Sequence, residues 1–346
     1  MASLGMISPR DAGTQAQMDA LLRAEGIRRD KNLDYSCGVF DEDGTLIAAG
    51  SSFKNTLRCL AVSSAHRGEG LMNQVVSHLL EKQTERGNSH VFLYTKTKND
   101  RIFRDLGFHE IARVEGELVF MENRRDGFAR YLKSLEKTRR EGKSAAVVMN
   151  ANPFTLGHRR LIERAAAEND ALHLFLLSEE AGPIPFAVRK RLVREGVADL
   201  SNVILHDSGP YIISSATFPS YFLRDEDAAI LAHAKLDLAV FGKIAAALGV
   251  TERWAGEEKS SHVTALYNET MAAELPGMGV AFRTIPRLEL RGEIVSASSV
   301  RQAIHDGELE KAAFMLPESS LRYFTSADAE PVVKAIRAMD EARHYG

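Results

Sequence analysis

The sequence predicts a two-domain α/β protein, an α+β block followed by a doubly wound parallel sheet. Three observations carry that prediction. At 346 residues with 45% hydrophobic composition, the chain exceeds one typical domain and has apolar material for two cores. Its first third reads as short strands around one amphipathic helix, whereas the later part alternates apolar, strand-like runs with helical patterns. Between them lies a highly charged stretch, 123–143, with Phe128, Tyr131, Leu132 and Leu135 at helical spacing and Gly142 at its end. The expected organisation is a first domain at 1–122, a connecting helix at 123–143 and a second domain at 144–346.

In the first block, Ser36–Phe40 and Thr45–Gly50 flank the turn Asp41-Glu42-Asp43-Gly44, which is a hairpin signal. A third strand, ending at Leu60-Ala61-Val62, runs into a glycine-bearing turn, a helix from about Leu71 to Arg86 and a strand at His90–Thr95. A short helix around Ile102–Leu106 then closes on Gly107-Phe108. The second block opens with Ala145–Met149, a continuous apolar run of the kind buried in a parallel sheet. Further strands are expected at His173–Leu177, Val203–Leu205, Leu236–Phe241 and Val280–Ile285, with helices between them. A sheet of this kind binds its ligands at the carboxyl ends of its strands.

Charge excludes whole classes of partner. The 44 Lys+Arg against 47 Asp+Glu leave a formal charge of −3, so no global positive field would hold nucleic acid or an anionic membrane. Any anion must be caught locally. Cys37 and Cys59 each sit in an apolar run, which suggests neither a disulfide framework nor a thiolate metal cluster and fits a reducing cytoplasm. Met1–Met6 has no basic region followed by a long apolar stretch, and no segment approaches the roughly 18 apolar residues that span a bilayer. A cytoplasmic protein without a nucleic-acid or membrane partner is expected.

The chemistry concentrates after the first strand of the second block, in Asn150-Ala151-Asn152-Pro153-Phe154-Thr155-Leu156-Gly157-His158 and the helical run that follows. The order strand, tight turn, helix puts free N–H groups and the positive helix end at the rim of the sheet, a ready anion site. Gly157 lets the backbone come close to a phosphate, and His158 can donate to the charge that builds up there. Alone, Thr-x-Gly-His is weak evidence and reads as a helix cap with a surface histidine; its place directly after the strand favours the anion site. A second element, Ile294-Val295-Ser296-Ala297-Ser298-Ser299-Val300-Arg301, reads by itself as an ordinary N-capped helix, Ser-x-x-Arg, that Ser298 would begin.

These two elements resemble the histidine-x-glycine-histidine and Ile-Ser-Ser-Thr-x-Ile-Arg motifs of the nucleotidyltransferase superfamily, with Thr155 in the first position and departures at Met149 and Ala151. The runs Pro185–Val193, Ser208–Pro219, Trp254–Glu258 and Leu266–Met271 closely resemble the citrate lyase ligase family across the whole second domain. That resemblance implies ATP-dependent acetylation of the thiol prosthetic group on the citrate lyase acyl-carrier subunit, through acetyl-adenylate, with release of AMP and pyrophosphate. It implies ATP with phosphate-bound Mg²⁺ as cofactors, and acetate and the carrier subunit, with its coenzyme A-like group, as partners. It places His158 and Thr155 at the α-phosphate, Arg301 and Ser298 at the departing pyrophosphate, and Asn152 as a further donor. Gly256 and Glu257 then lie beside the adenine and ribose, Arg189 is a candidate clamp on the triphosphate, and the polar run Ser214–Thr217 belongs to a substrate-facing loop. Two other readings stay open: an adenylyltransferase acting on a phosphorylated substrate, and an acetyl-CoA-dependent acetyltransferase or acyl-CoA sensor.

In the first block, Leu60–Leu71 resembles the pyrophosphate-binding turn of the Gcn5-related acetyltransferases (GNAT), in which consecutive backbone amides hold the coenzyme A pyrophosphate. Phe103–Phe108 matches that family's closing segment, while Ala65 and Met72 depart from its pattern. The resemblance makes this an acetyltransferase-like domain and marks Arg67, Gly68 and Gly70 as candidate ligands of the prosthetic group.

Overall fold

A computed structural model describes residues 2–180, 182–212, 218, 226–258 and 261–339. The chain divides into two compact units, one built of Met1–Arg130 with Pro219–Ala239 and the other of Tyr131–Phe218 with Val240–Gly346. Both are mixed α/β structures.

The first unit opens with β1 (Ser3–Met6) and α1 (Ala12–Ala24), whose start Asp11 caps by accepting the N–H groups of Gly13 and Thr14. There follow β2 (Tyr35–Phe40), β3 (Leu46–Phe53), β4 (Thr56–Val62), α2 (Leu71–Glu85), β5 (Phe92–Lys96), α3 (Asp100–Asp105), β6 (His109–Val114) and β7 (Leu118–Glu122). The strands form one sheet in the order β1-β2-β3-β4-β5-β7-β6. Both faces are covered: Val75, Val76 and Leu79 of α2 enter one apolar core, and Met18, Leu21 and Leu22 of α1 enter the other. A side chain at Gly50 would bring its Cβ within 2.5 Å of Val75, so the closeness of α2 to the sheet requires glycine there. The parallel pair β4 and β5 is joined only at Thr56–Phe92 and Leu57–Leu93, so the strands separate beyond those residues. At the carboxyl end of β4 begins the turn expected to hold a pyrophosphate.

After α4 (Gly127–Glu136) and a turn through Gly142, the second unit forms β8 (Ser144–Met149), α5 (Leu156–Ala167), β9 (Ala171–Leu176), α6 (Phe186–Gly196) and β10 (Val203–Asp207). Gly142 has φ +89, and Asp170 occupies the space a side chain would need, accepting the N–H of Lys143 at 2.7 Å. Then come α7 (Glu226–Leu248), β11 (Glu252–Gly256), α8 (His262–Glu274), β12 (Ala281–Ile285), the short pair β13 (Glu289–Leu290) and β14 (Glu293–Ile294), and α9 (Ala297–His305). The helices α10 (Leu309–Ala312), α11 (Glu318–Phe324) and α12 (Glu330–Arg337) complete the described chain. The five long strands run parallel in the order β10-β9-β8-β11-β12. In chain order that is third, second, first, fourth, fifth, a doubly wound sheet whose direction of winding reverses between β8 and β11.

One expected strand is a helix. Leu236–Phe241 lies inside α7, and the fourth strand is Glu252–Gly256 instead. The run is short and wholly apolar apart from the buried Asp237, so it carries no period that separates strand from buried helix. Alanines on both sides, from Ala228 to Ala247, extend it as strong helix formers. The run Ser214–Thr217, expected in a substrate-facing loop, lies outside the described residues.

Candidate active site

Doubly wound sheets bind ligands outside the carboxyl ends of the strands where the winding reverses. Here that point lies between β8 and β11, and the segment leaving β8 is anchored from several sides. Arg189, on α6 and 1% exposed, donates to the main-chain oxygen and Oδ1 of Asn150 at 2.8 and 2.9 Å, and to the carbonyls of Leu177, Ile184 and Glu179 at 2.9, 3.1 and 2.6 Å. Ser320 on α11 donates to the carbonyl of Phe154 at 2.8 Å. The Phe154 ring is buried against Gly196, where an added Cβ would approach it to 2.4 Å. Ala151 is held at φ +51, a strained conformation for a residue with a side chain.

Thr155 then caps α5 in a reciprocal arrangement with His158. The Thr155 N–H donates to His158 Nδ1 at 3.1 Å, and the Thr155 hydroxyl lies 2.9 Å from the same nitrogen. Because a backbone N–H can only donate, Nδ1 is the unprotonated nitrogen of a neutral ring and Nε2 carries the hydrogen. Burial, reinforced by the Arg287 guanidinium, pushes the His158 imidazole down to about 4. At neutral pH it is therefore an uncharged donor.

Into this loop comes α9, whose start is capped by Ser296, which accepts the Ser299 N–H at 3.0 Å. The helix begins at Ala297, so Ser298 sits in its first turn, and the capping role expected of Ser298 belongs to Ser296. One turn on, Arg301 is 3% exposed and donates through Nη1 to the main-chain oxygen of Asn152 at 2.5 Å. Burial lowers its guanidinium to about 10, which still leaves it charged at neutral pH. Gly157 faces the same segment: a Cβ there would stand 3.3 Å from the Val295 carbonyl. The two helix starts thus share one rim, where the first-turn N–H groups that the caps do not take lack an intrahelical partner.

Gly256 ends β11, its carbonyl accepting from Asn268 at 3.1 Å, and Glu257 donates its N–H to Ile285 at 2.8 Å. Arg287 follows the last long strand, donates through Nε to the Glu257 carbonyl at 3.1 Å and pairs with Glu258. The sequence reading passes over it; the only signal available is a cation just beyond the carboxyl end of a strand. Arg189 departs from the expected part, because its donors are spent on protein oxygens and it ties the loops after β8 and β9 together. Its burial, opposed by Glu179 and Glu180, lowers its pKa from the ordinary value.

In the first unit, Gly68 and Gly70 adopt φ +88 and +74 in the turn between β4 and α2, conformations that favour glycine. Arg67 is exposed and pairs with Glu25 at 2.5 Å, and the other oxygen of Glu25 accepts the Ser64 N–H at 2.9 Å. Cys37 and Cys59 are buried and unbridged, and burial pushes both thiols up to about 12. Among the described residues no helix is long and apolar enough to cross a membrane, and no three His, Cys, Asp or Glu side chains group to hold a metal ion.

Comparison with known proteins adds a second line of observation. The family described as the citrate lyase ligase C-terminal domain matches residues 144–324, and the acetyltransferase (GNAT) family matches residues 8–108. The citrate (pro-3S)-lyase ligase of Escherichia coli (strain K12) is 40% identical over 304 residues, covering 85% of this chain and 86% of the relative. The Klebsiella pneumoniae protein of the same name is 34% identical over 320 residues, with 91% and 93% covered. That of Haemophilus influenzae is 33% identical over 313 residues, with 88% and 93% covered.

Proposed function

We propose how this ligase works from the fact that the chain belongs to the citrate lyase ligase family: it uses ATP to acetylate the thiol prosthetic group of the citrate lyase acyl-carrier subunit. An acetate carboxylate is a poor electrophile and must be activated first. One carboxylate oxygen attacks the α-phosphorus of ATP, the bond from that phosphorus to the β-phosphate oxygen breaks, and pyrophosphate leaves with the electron pair. The carrier thiolate then attacks the acetyl carbon, the carbon–oxygen bond of acetyl-adenylate breaks, and AMP departs.

The observation that carries this reading is the hydrogen bond from Arg301 to the Asn152 carbonyl, which joins the two phosphate-facing segments at the reversal of the sheet. In the proposed roles, His158 donates its Nε2 hydrogen to the α-phosphate while Thr155 fixes the ring, and Arg301, with Ser298 and the first turn of α9, holds the departing pyrophosphate. Gly157 lets the main chain approach the phosphates, and Gly256 and Glu257 border the nucleoside. Fixed, pre-aimed donors of this kind stabilise the charge that develops in phosphoryl displacement. Mg²⁺ would travel with the triphosphate and add positive charge there, since among the described residues the donor set at this rim is made of N–H groups and cations with no carboxylate cage. Arg67, Gly68 and Gly70 are proposed to receive the diphosphate of the prosthetic group, with Arg67 exchanging Glu25 for that anion.

Exchange of labelled pyrophosphate into ATP tests the first step. Exchange is expected to require acetate and to need no carrier protein. A requirement for a phosphorylated acceptor in place of acetate would move the enzyme to ordinary adenylyl transfer, and acetyl-CoA binding without ATP turnover would refute the scheme.

A further inference from the structure

The proposed scheme leaves Arg287 without a task. It lies just beyond β12, and main-chain contacts fix its place from both sides. The next residue, Leu288, accepts the Val295 N–H at 2.8 Å, and the Val295 carbonyl is the atom that a Cβ on Gly157 would approach to 3.3 Å. On the other side, Arg287 donates through Nε to the Glu257 carbonyl at 3.1 Å. The residue therefore sits between the segment that carries His158 and the segment that ends β11, and its positive charge is one of the causes that lower the His158 imidazole.

The guanidinium is oriented by its partners. Nη2 pairs with Glu258, whose side chain is 5% exposed and whose other oxygen accepts the Ser261 N–H at 3.1 Å. A buried carboxylate needs a cation, and that need would explain Arg287 in full if all its nitrogens turned inward. They do not. The side chain is 33% exposed, and among the described residues nothing engages Nη1. There is also room at this place: a Cβ added to Gly256 would meet no atom within 4 Å, and the φ of Gly256 is not of the left-handed kind that demands glycine. A planar fork held on two nitrogens and open on the third suits a phosphate oxygen.

The chemistry of the scheme says which phosphate. The β- and γ-phosphates depart with Arg301 as their cation. The α-phosphate keeps its negative charge in ATP, in acetyl-adenylate and in AMP, yet it is met by His158, an uncharged donor. A cation that serves it must stay in place through both steps. The position of Arg287 between His158 and Glu257 matches that of the α-phosphate between the departing group and the nucleoside. We propose that Arg287 is a nucleotide-binding residue of this enzyme, its Nη1 donating to a non-bridging oxygen of the α-phosphate before and after pyrophosphate leaves. This rests on the reading of function given above.

Equilibrium dialysis of the full chain against labelled adenosine, AMP and ATP separates the outcomes. Arg287→Ala is expected to weaken AMP and ATP alike, roughly tenfold to hundredfold, the range of a hydrogen bond between charged groups, while adenosine stays within about twofold. Arg287→Lys keeps a counter-ion for Glu258, so it folds even where Arg287→Ala does not. Its single ammonium cannot hold Glu258, the Glu257 carbonyl and a phosphate together, and AMP binding should weaken at least about fivefold. Equal losses for all three ligands would make Arg287 a brace of the loop beside the nucleoside. A loss for ATP alone would move it to the pyrophosphate, and unchanged AMP binding would remove it from the phosphates. Each of these results overturns the proposal while leaving acetate activation intact. An unsubstituted chain that binds neither AMP nor ATP would overturn both.

Discussion

Arg301 reaches back across 149 residues of sequence to donate to the main-chain oxygen of Asn152 at 2.5 Å. That bond makes one guanidinium both a brace for the loop after β8 and a fixed cation beside it. Both roles depend on the planar fork, which lysine cannot reproduce. Arg301→Lys is expected to cut acetate-dependent pyrophosphate exchange by more than about tenfold and to raise the KM for ATP, with the melting temperature lowered by a few degrees. Exchange at the rate of the unsubstituted chain would separate Arg301 from the phosphates.

His158 offers a sharper test, because its ring is held in one tautomer by the Thr155 N–H. Removing a single pre-aimed donor to developing charge costs on the order of 10²–10³ in rate. His158→Ala should lose exchange by that factor, while loss of half of the helix cap costs only about 1 kcal/mol of stability. Near-normal exchange in a folded variant would refute the role proposed for this imidazole.

Arg189 should behave in the opposite way. Its guanidinium serves four main-chain carbonyls and one side-chain oxygen, all on protein groups around the loops after β8 and β9. Arg189→Ala strands those acceptors in the interior, at a cost of about 3–5 kcal/mol, or a fall of roughly 10 °C in melting. Scanning calorimetry would register it even without ATP. A variant that melts normally yet binds ATP poorly would return Arg189 to the triphosphate.

A buried histidine pair gives the pH dependence. His173 Nδ1 and His206 Nε2 lie 2.9 Å apart on neighbouring strands, and burial is the first cause that pushes both rings down to about 4 from an ordinary 6.5. Above the unfolded value both rings are neutral in either state, and their contribution to stability is complete. As pH falls from 6.5 toward 4, the unfolded chain takes up protons that the folded chain refuses, so stability drops by up to about 1.4 kcal/mol per pH unit for each ring. Below that window the contribution is gone. Urea midpoints measured between pH 7.5 and 4.5 should fall more gently in His173→Leu/His206→Phe than in the unsubstituted chain; identical slopes would assign the acid sensitivity elsewhere.

What could be read in the sequence follows from the range of the forces involved. Thr155 and His158 are three residues apart on one helix start, and Ser296 and Ser299 repeat that spacing, so both caps are local and legible without a fold. The choice of Ser298 over Ser296 as the cap is an error of two residues, because several serines in a row offer the same local chemistry. Leu236–Phe241 could not be placed, since a short apolar run has no periodicity and only its alanine-rich flanks and packing make it helical.

The amino-acid order by itself determined most of the alternation of strands and helices, the two capped helix starts, and the glycine-bearing turn of the first unit, each set by neighbours a few residues away. Only the tertiary structure decided that Arg189 faces protein oxygens and that Arg287 stands near His158. Those outcomes depend on contacts between segments far apart in the chain, where burial removes water as a competing partner and leaves each polar group to the geometry that packing allows.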